Sequence, residues 1–308
     1  MIAFPGASLF RAARRCAAVL LAPALAFALA GCQQAPGEAA DGAPANPLLY
    51  EIADADGAVE GWMLGTIHAL PPGTRWRTPA IERVTEAADF LVVEIAALDD
   101  RRNLADAFAR LGTTPDLPPL DQRVPAGLRP ALAGLLDRGG MEPAGFTATE
   151  SWAAALMLAQ IDAVGDPANG VDRALIRQFP ADRVRELEGA NNQLAIFDRL
   201  SEADQRTLLA SVVAEADTAP ARAEQLRQAW LTGDEAALIA AATTGFMADP
   251  ELREALLVAR NRRWDAAIAA MLEEPQRPLV AVGTAHLVGP DGLAALLEAR
   301  GYRLTRLR

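Results

Sequence analysis

The chain contains no lysine, so no side-chain amine is available for Schiff-base chemistry and every cation is an arginine. Its two cysteines, Cys16 and Cys32, both fall within the first 32 residues. The rest of the chain therefore has no disulfide, no thiolate ligand and no cysteine nucleophile. After residue 32 the only serines are Ser151, Ser201 and Ser211, and none sits in a Gly-x-Ser-x-Gly context, which argues against a serine hydrolase. Neither a Gly-x-Gly-x-x-Gly nor a phosphate-loop pattern occurs. Basic clusters are missing as well. With a net charge of −11, the surface argues against nucleic acid or anionic lipid as a partner. Few reactive groups remain, and two of them are the chain's only histidines, His68 and His286.

What is present begins with a leader. Residues 1–15 carry Arg11, Arg14 and Arg15 and no acid, and residues 17–30 are uncharged. A basic head before a short apolar run reads as a secretory signal, too short to remain as a spanning helix. The run ends in Leu29-Ala30-Gly31-Cys32, which resembles the lipobox of bacterial lipoproteins. That resemblance implies a signal peptide over 1–31, cleavage before Cys32 and diacylation of its thiol. Gln33-Gln34 follows in place of an aspartate, which by the same analogy implies an outer-membrane lipoprotein facing the periplasm. Residues 32–47, rich in Ala, Gly and Pro, read as a flexible tether. Removing the leader takes away three arginines and no acid, so the mature chain is more acidic still. The body, 48–308, is long enough for one good core or two small ones, and a chain 51% hydrophobic is globular.

Along the body, 48–52 and 59–65 flank an Asp-Ala-Asp-Gly turn and predict a hairpin. Thr78 before Pro79 predicts a capped helix, with Ile81, Val84 and Ala88 on one face. Residues 90–93 form an apolar run ending in Glu94, read as a buried strand. Strand, helix and strand in this order imply a right-handed crossover with parallel strands if the two share a sheet. Helical spacing then dominates, at 101–111, 126–138, 148–164, 170–179, 191–199, 201–217, 220–231, 234–242 and a long stretch from 250 to 274. A further strand is indicated at 183–187, ending at Glu188. Strands return at 279–282 and 302–307 around a helix near 290–299. The reading is α/β: a mixed sheet formed from the N- and C-terminal parts of the body, with a large helical insertion at about 101–275.

His68 and His286 sit in the same context, Gly65-Thr66-Ile67-His68 and Gly283-Thr284-Ala285-His286, each after an apolar strand. A glycine at a strand's carboxyl end lets the chain turn without a Cβ clash. The histidine then enters the crevice where open α/β sheets place their sites. Glu94, ending the strand expected beside that of His68, would share this edge. Two imidazoles and a carboxylate make a three-ligand set with an open position, the pattern of a catalytic divalent metal. Either histidine alone reads as a core residue, and Glu94 alone equally as half of a buried ion pair; the pairing of the two motifs favours function.

These motifs, with Val92-Val93-Glu94 and the closing stretch from Val280 to Gly292 before Arg300-Gly301-Tyr302, resemble the TraB/GumN family. Gly170-Val171-Asp172, Leu187-Glu188 with Gln193, Trp230 with Gly233-Asp234, and Arg260-Asn261 match it too, so the resemblance spans about 48–307. That family is similar to the Tiki proteins, membrane-tethered metal-dependent proteases. The resemblance implies a metal and catalytic centre of His68, Glu94 and His286, with Mn²⁺, Co²⁺ or Zn²⁺ as the ion and a peptide or protein as substrate. It makes Glu188 a second acid or base. Arg260 would polarise a carbonyl or hold a substrate carboxylate, or else serve as a salt-bridge partner. Trp62, Trp152, Trp230 and Trp264 read as core. The alternatives are a haem- or metal-binding lipoprotein without turnover, as in the more distant ChaN-like relatives, and a scaffold in which both motifs merely shape the sheet.

Overall fold

The hairpin expected at the start of the body forms between β1 (Leu49–Ala53) and β2 (Val59–Thr66), in a computed structural model that describes residues 44–308. The expected signal peptide, Cys32 and most of the tether lie outside the described residues. Asp54 closes the turn by accepting from the Ala58 N–H at 2.8 Å. Helix α1 (Pro79–Ala87) starts at Thr78, whose hydroxyl accepts from the Ile81 N–H at 3.2 Å, and buries Ile81 and Val84. It leads into the fully buried β3 (Phe90–Val93).

The middle of the chain runs through α2 (Arg101–Leu111), α3 (Arg129–Arg138), α4 (Ser151–Ala159) and α5 (Val171–Ile176) before the short strand β4 (Val184–Glu186). Then come α6 (Ala190–Asp198), α7 (Glu202–Glu215), α8 (Ala219–Thr232), α9 (Glu235–Ala241) and α10 (Pro250–Arg253). A π-helical turn, Glu254–Val258, joins α10 to α11 (Ala259–Leu272), so the single long helix expected from 250 to 274 is interrupted. Strand β5 (Pro278–Gly283), α12 (Leu293–Ala299) and β6 (Arg303–Leu307) close the chain.

The six strands form one sheet in the order β4-β3-β5-β2-β1-β6. β2, β5, β3 and β4 run parallel, and β1 is antiparallel to both neighbours. β5 and β3 are buried along their whole length, which is why they read as continuous apolar runs. One detail differs from the sequence reading. β5 lies between β2 and β3, so the crossover strands are parallel in one sheet but are not neighbours. The strand expected at 183–187 forms as β4 and completes one edge, so the sheet also takes a strand from within the insertion. One core packs on the sheet. A second, built on Trp152, Leu135, Leu209 and Leu252, lies within the helical insertion. Among the described residues no helix is long and apolar enough to cross a membrane.

Candidate functional site

The register of the parallel strands sets the site. Thr66 pairs with Gly283 and Val93 with Ala281, so β2, β5 and β3 all end on one edge of the sheet. His68 follows β2, Glu94 follows β3, and His286 lies in the 3₁₀ turn Thr284–His286 after β5. Glu188 comes two residues after β4, and its N–H donates to the Glu94 carbonyl at 3.2 Å. Arg260 reaches in from α11. All five residues singled out in the sequence meet at this edge, the crevice where open α/β sheets bind ligands.

Each imidazole is oriented through its Nδ1. His68 donates to Asp172 Oδ2 at 2.8 Å, and the Thr66 hydroxyl donates to the other oxygen at 2.7 Å, so both polar residues of the first motif grip one buried carboxylate. His286 Nδ1 lies 2.5 Å from Asn261 Oδ1. The Asn261 Nδ2 donates to the carbonyls of Asp291 and His286 at 2.7 and 3.3 Å, which fixes the amide and makes His286 Nδ1 the donor. Its Nε2 lone pair then faces the site. An imidazole whose far N–H is held by a carboxylate or amide is the arrangement found behind metal-binding histidines.

Arg260 is the hub. Its Nη2 donates to Glu94 Oε2 at 2.7 Å, its Nε to Glu188 Oε2 at 3.0 Å, and its Nη1 to the Leu256 carbonyl at 3.1 Å and to His286 Nε2 at 3.2 Å. Leu256 belongs to the π turn, a distortion that often marks functional sites. The guanidinium also lies 4.5 Å over the Trp264 ring, which packs against His286. Glu188 has its second oxygen paired with Arg263 at 3.3 Å. The arginine is thus a buried ion-pair partner, and both oxygens of Glu188 are committed. Trp62, Trp152, Trp230 and Trp264 are all buried, with Trp264 forming a wall of the site as well.

Gly283, without a side chain, leaves a narrow gap at the centre. A Cβ built there would sit 3.2 Å from Glu94 Oε1, 3.3 Å from His68 Nε2 and 3.7 Å from the His286 ring. The donor types around this cradle suit a divalent ion, since His286 presents a nitrogen lone pair beside an ionised carboxylate and His68 offers a second once an ion displaces its proton. The distances are looser. Among the described residues no three His, Cys, Asp or Glu side chains are drawn together closely enough to hold a metal, and Arg260 Nη1 stands against His286 Nε2. A pocket of about 130 Å³ opens from His68 and Glu94 toward Leu98, Asp172 and Gln193.

The charges are coupled. Burial works against a charge on Glu94, but His286, His68, Arg260 and the Gly283 N–H outweigh it and hold the carboxyl at about 2. Burial pushes His286 down to about 3, with Glu94 opposing and Arg260 and His68 assisting. Burial also acts to lower His68, yet the hydrogen bond and charge of Asp172, with Glu94, raise it to about 9. As pH falls below the unfolded value of 6.5 for His286, and then 4.5 for Glu94, stability is lost. As pH rises from 6.5 toward 9, the contribution of His68 is lost. Metal-free protein is therefore expected to be most stable near pH 6.5, with the alkaline limb shallower because His68, although set in the crevice, still reaches solvent and is screened by it. Melting temperatures from pH 3 to 9.5 check this. His68→Ala should flatten the alkaline limb alone, since the chain has one other histidine and no lysine.

The sequence alone gives no role to Asp172, Asn261 or the gap at Gly283. Asp172 and Asn261 were visible as matched segments, but nothing in their spacing ties Asp172 to a histidine 104 positions away. No curated protein and no solved structure matches the chain. A model of the TraB/PrgY/gumN family matches residues 48–306, and the chain belongs to that family.

Proposed function

We propose that this protein is a metal-dependent peptidase or related hydrolase, tethered to a bacterial membrane through lipid on Cys32, at the outer membrane and facing the periplasm. The observation that carries the reading is the gap at Gly283, faced by His68 Nε2, Glu94 Oε1 and the His286 ring, with both histidines oriented from behind by Asp172 and Asn261. His68, Glu94 and His286 would hold the ion, with Arg260 giving up its contact to His286. When bound, Mn²⁺, Co²⁺ or Zn²⁺ supplies an activated water and polarises the substrate carbonyl. Glu94 is ionised at neutral pH, the state a metal-holding carboxylate requires. Arg260 and Glu188 keep Glu94 and His286 in position. The pocket of about 130 Å³ is smaller than typical cofactor cavities of roughly 300–1,000 Å³, which favours this reading over a haem carrier.

The test is metal content after reconstitution with each ion, followed by a peptide-library cleavage screen. Wild type is expected to hold about one equivalent and to lose both metal and cleavage in the His68→Ala/His286→Ala double variant. Full turnover in that variant, or cleavage indifferent to chelator, would sink the metal mechanism.

A further inference from the structure

A second concavity lies on the loop that carries His68. Its cavity of about 280 Å³ has a mostly polar lining that includes Thr74, Trp76, Arg77, Asn169 and Arg177. Leu70, two residues past His68, forms one side of it. Arg177 caps α5, the helix that carries Asp172, so both sides of this cavity come from the elements that hold His68.

Among the described residues, neither arginine has a carboxylate at bonding distance. Arg77 donates to the neutral Gln178 side chain at 3.2 Å and stacks 4.4 Å from the Trp76 ring. Neither Arg77 nor Arg177 makes an ion pair with a carboxylate among the described residues, in a chain with 40 acids and 29 arginines. Burial lowers the Arg77 pKa, the charge of Glu82 opposes it, and Arg177 adds a smaller lowering. Two guanidinium groups line one cavity without a bonded carboxylate, one of them flattened against an aromatic plane, so an entering anion would meet both. Guanidinium forks match carboxylate and phosphate oxygens, and the Trp76 ring holds Arg77 in place so that little entropy is lost on binding. Asn169 and Thr74 add neutral hydrogen-bonding groups to the same lining.

We propose that Arg77 and Arg177 form an anion subsite that takes a carboxylate or phosphate group of the substrate whose reacting bond lies at His68. The word substrate rests on the hydrolase reading; the anion site does not. The test is calorimetric titration of the full chain with succinate and with inorganic phosphate, at constant ionic strength, using wild type, Arg177→Gln and Arg77→Gln/Arg177→Gln. Arg177 is exposed, so its single replacement reads binding without disturbing the fold. Each lost charge-assisted contact should weaken binding about tenfold. Tighter succinate assigns the group to a carboxylate, and tighter phosphate assigns it to a phosphoryl group. Equal affinity in wild type and the double variant overturns the proposal. With a cleaved peptide in hand, the double variant should raise KM for an acidic substrate over its amide counterpart and leave kcat unchanged. Anion binding in a chain without turnover would remove the hydrolase reading and keep the subsite.

Discussion

Gly283→Ala is expected to reduce both metal uptake and hydrolysis at least about a hundredfold while leaving the fold intact. Residue 283 has φ −49°, so alanine is not strained there. The added methyl would stand 3.2 Å from Glu94 Oε1 and 3.3 Å from His68 Nε2, inside ordinary van der Waals contact. It fills the gap that those groups face, and displacements of this kind cost on the order of 10² in rate. Overpacking should lower stability by only about 1–3 kcal/mol. Gly65→Ala is the contrasting variant. Its Cβ would collide with the Thr284 hydroxyl and lie 3.3 Å from the Thr284 Cα, so the penalty falls on the packing of β2 against the turn after β5. The pair separates site from scaffold: Gly283→Ala loses activity with only a modest fall in melting temperature, whereas Gly65→Ala loses far more of its melting temperature. Full activity in Gly283→Ala, measured on any cleaved peptide, would show that the gap is not where the reaction occurs.

Much of this was legible because the sheet announces itself. β3 and β5 are apolar runs of strand length, and the glycine of each Gly-Thr-x-His motif lies at a strand's carboxyl end. The paired motifs located two corners of the site, and Glu94 a third. The order of the strands was not legible, because β5 enters between β2 and β3 from nearly 190 residues away and no local signal records that insertion. The π turn was equally hidden: helical periodicity from 250 to 274 does not reveal one extra residue per turn, although that turn supplies the Leu256 carbonyl to Arg260. Asp172 illustrates a third limit. Residue type says that a buried aspartate needs a partner, but only the fold shows that its partners are Thr66 and His68.

Arg260→Ala is expected to destabilise the metal-free protein by about 3–5 kcal/mol, the usual result of leaving a buried charge without its partner. For a body of this size that lowers the melting temperature on the order of 10 °C. The loss is shared unequally. Glu188 keeps Arg263, itself 57% exposed, but Glu94 would be left with the Gly283 N–H and the two imidazoles. Arg260→Lys keeps the charge without the planar fork that serves Glu94, Glu188 and His286 at once, so it should fall between wild type and alanine. Arg260→Met combined with Glu94→Gln and Glu188→Gln removes all three charges and should recover most of the stability. A divalent ion offers the sharpest discrimination. If His68, Glu94 and His286 hold one, saturating metal replaces part of the missing positive charge and frees no new cost at His286, whose Nε2 is no longer shared. Arg260→Ala should then gain more in melting temperature from added Mn²⁺, Co²⁺ or Zn²⁺ than wild type does. An equal or smaller gain would mean that the guanidinium and a metal do not compete for this place, and that Arg260 itself is the resident cation of the site.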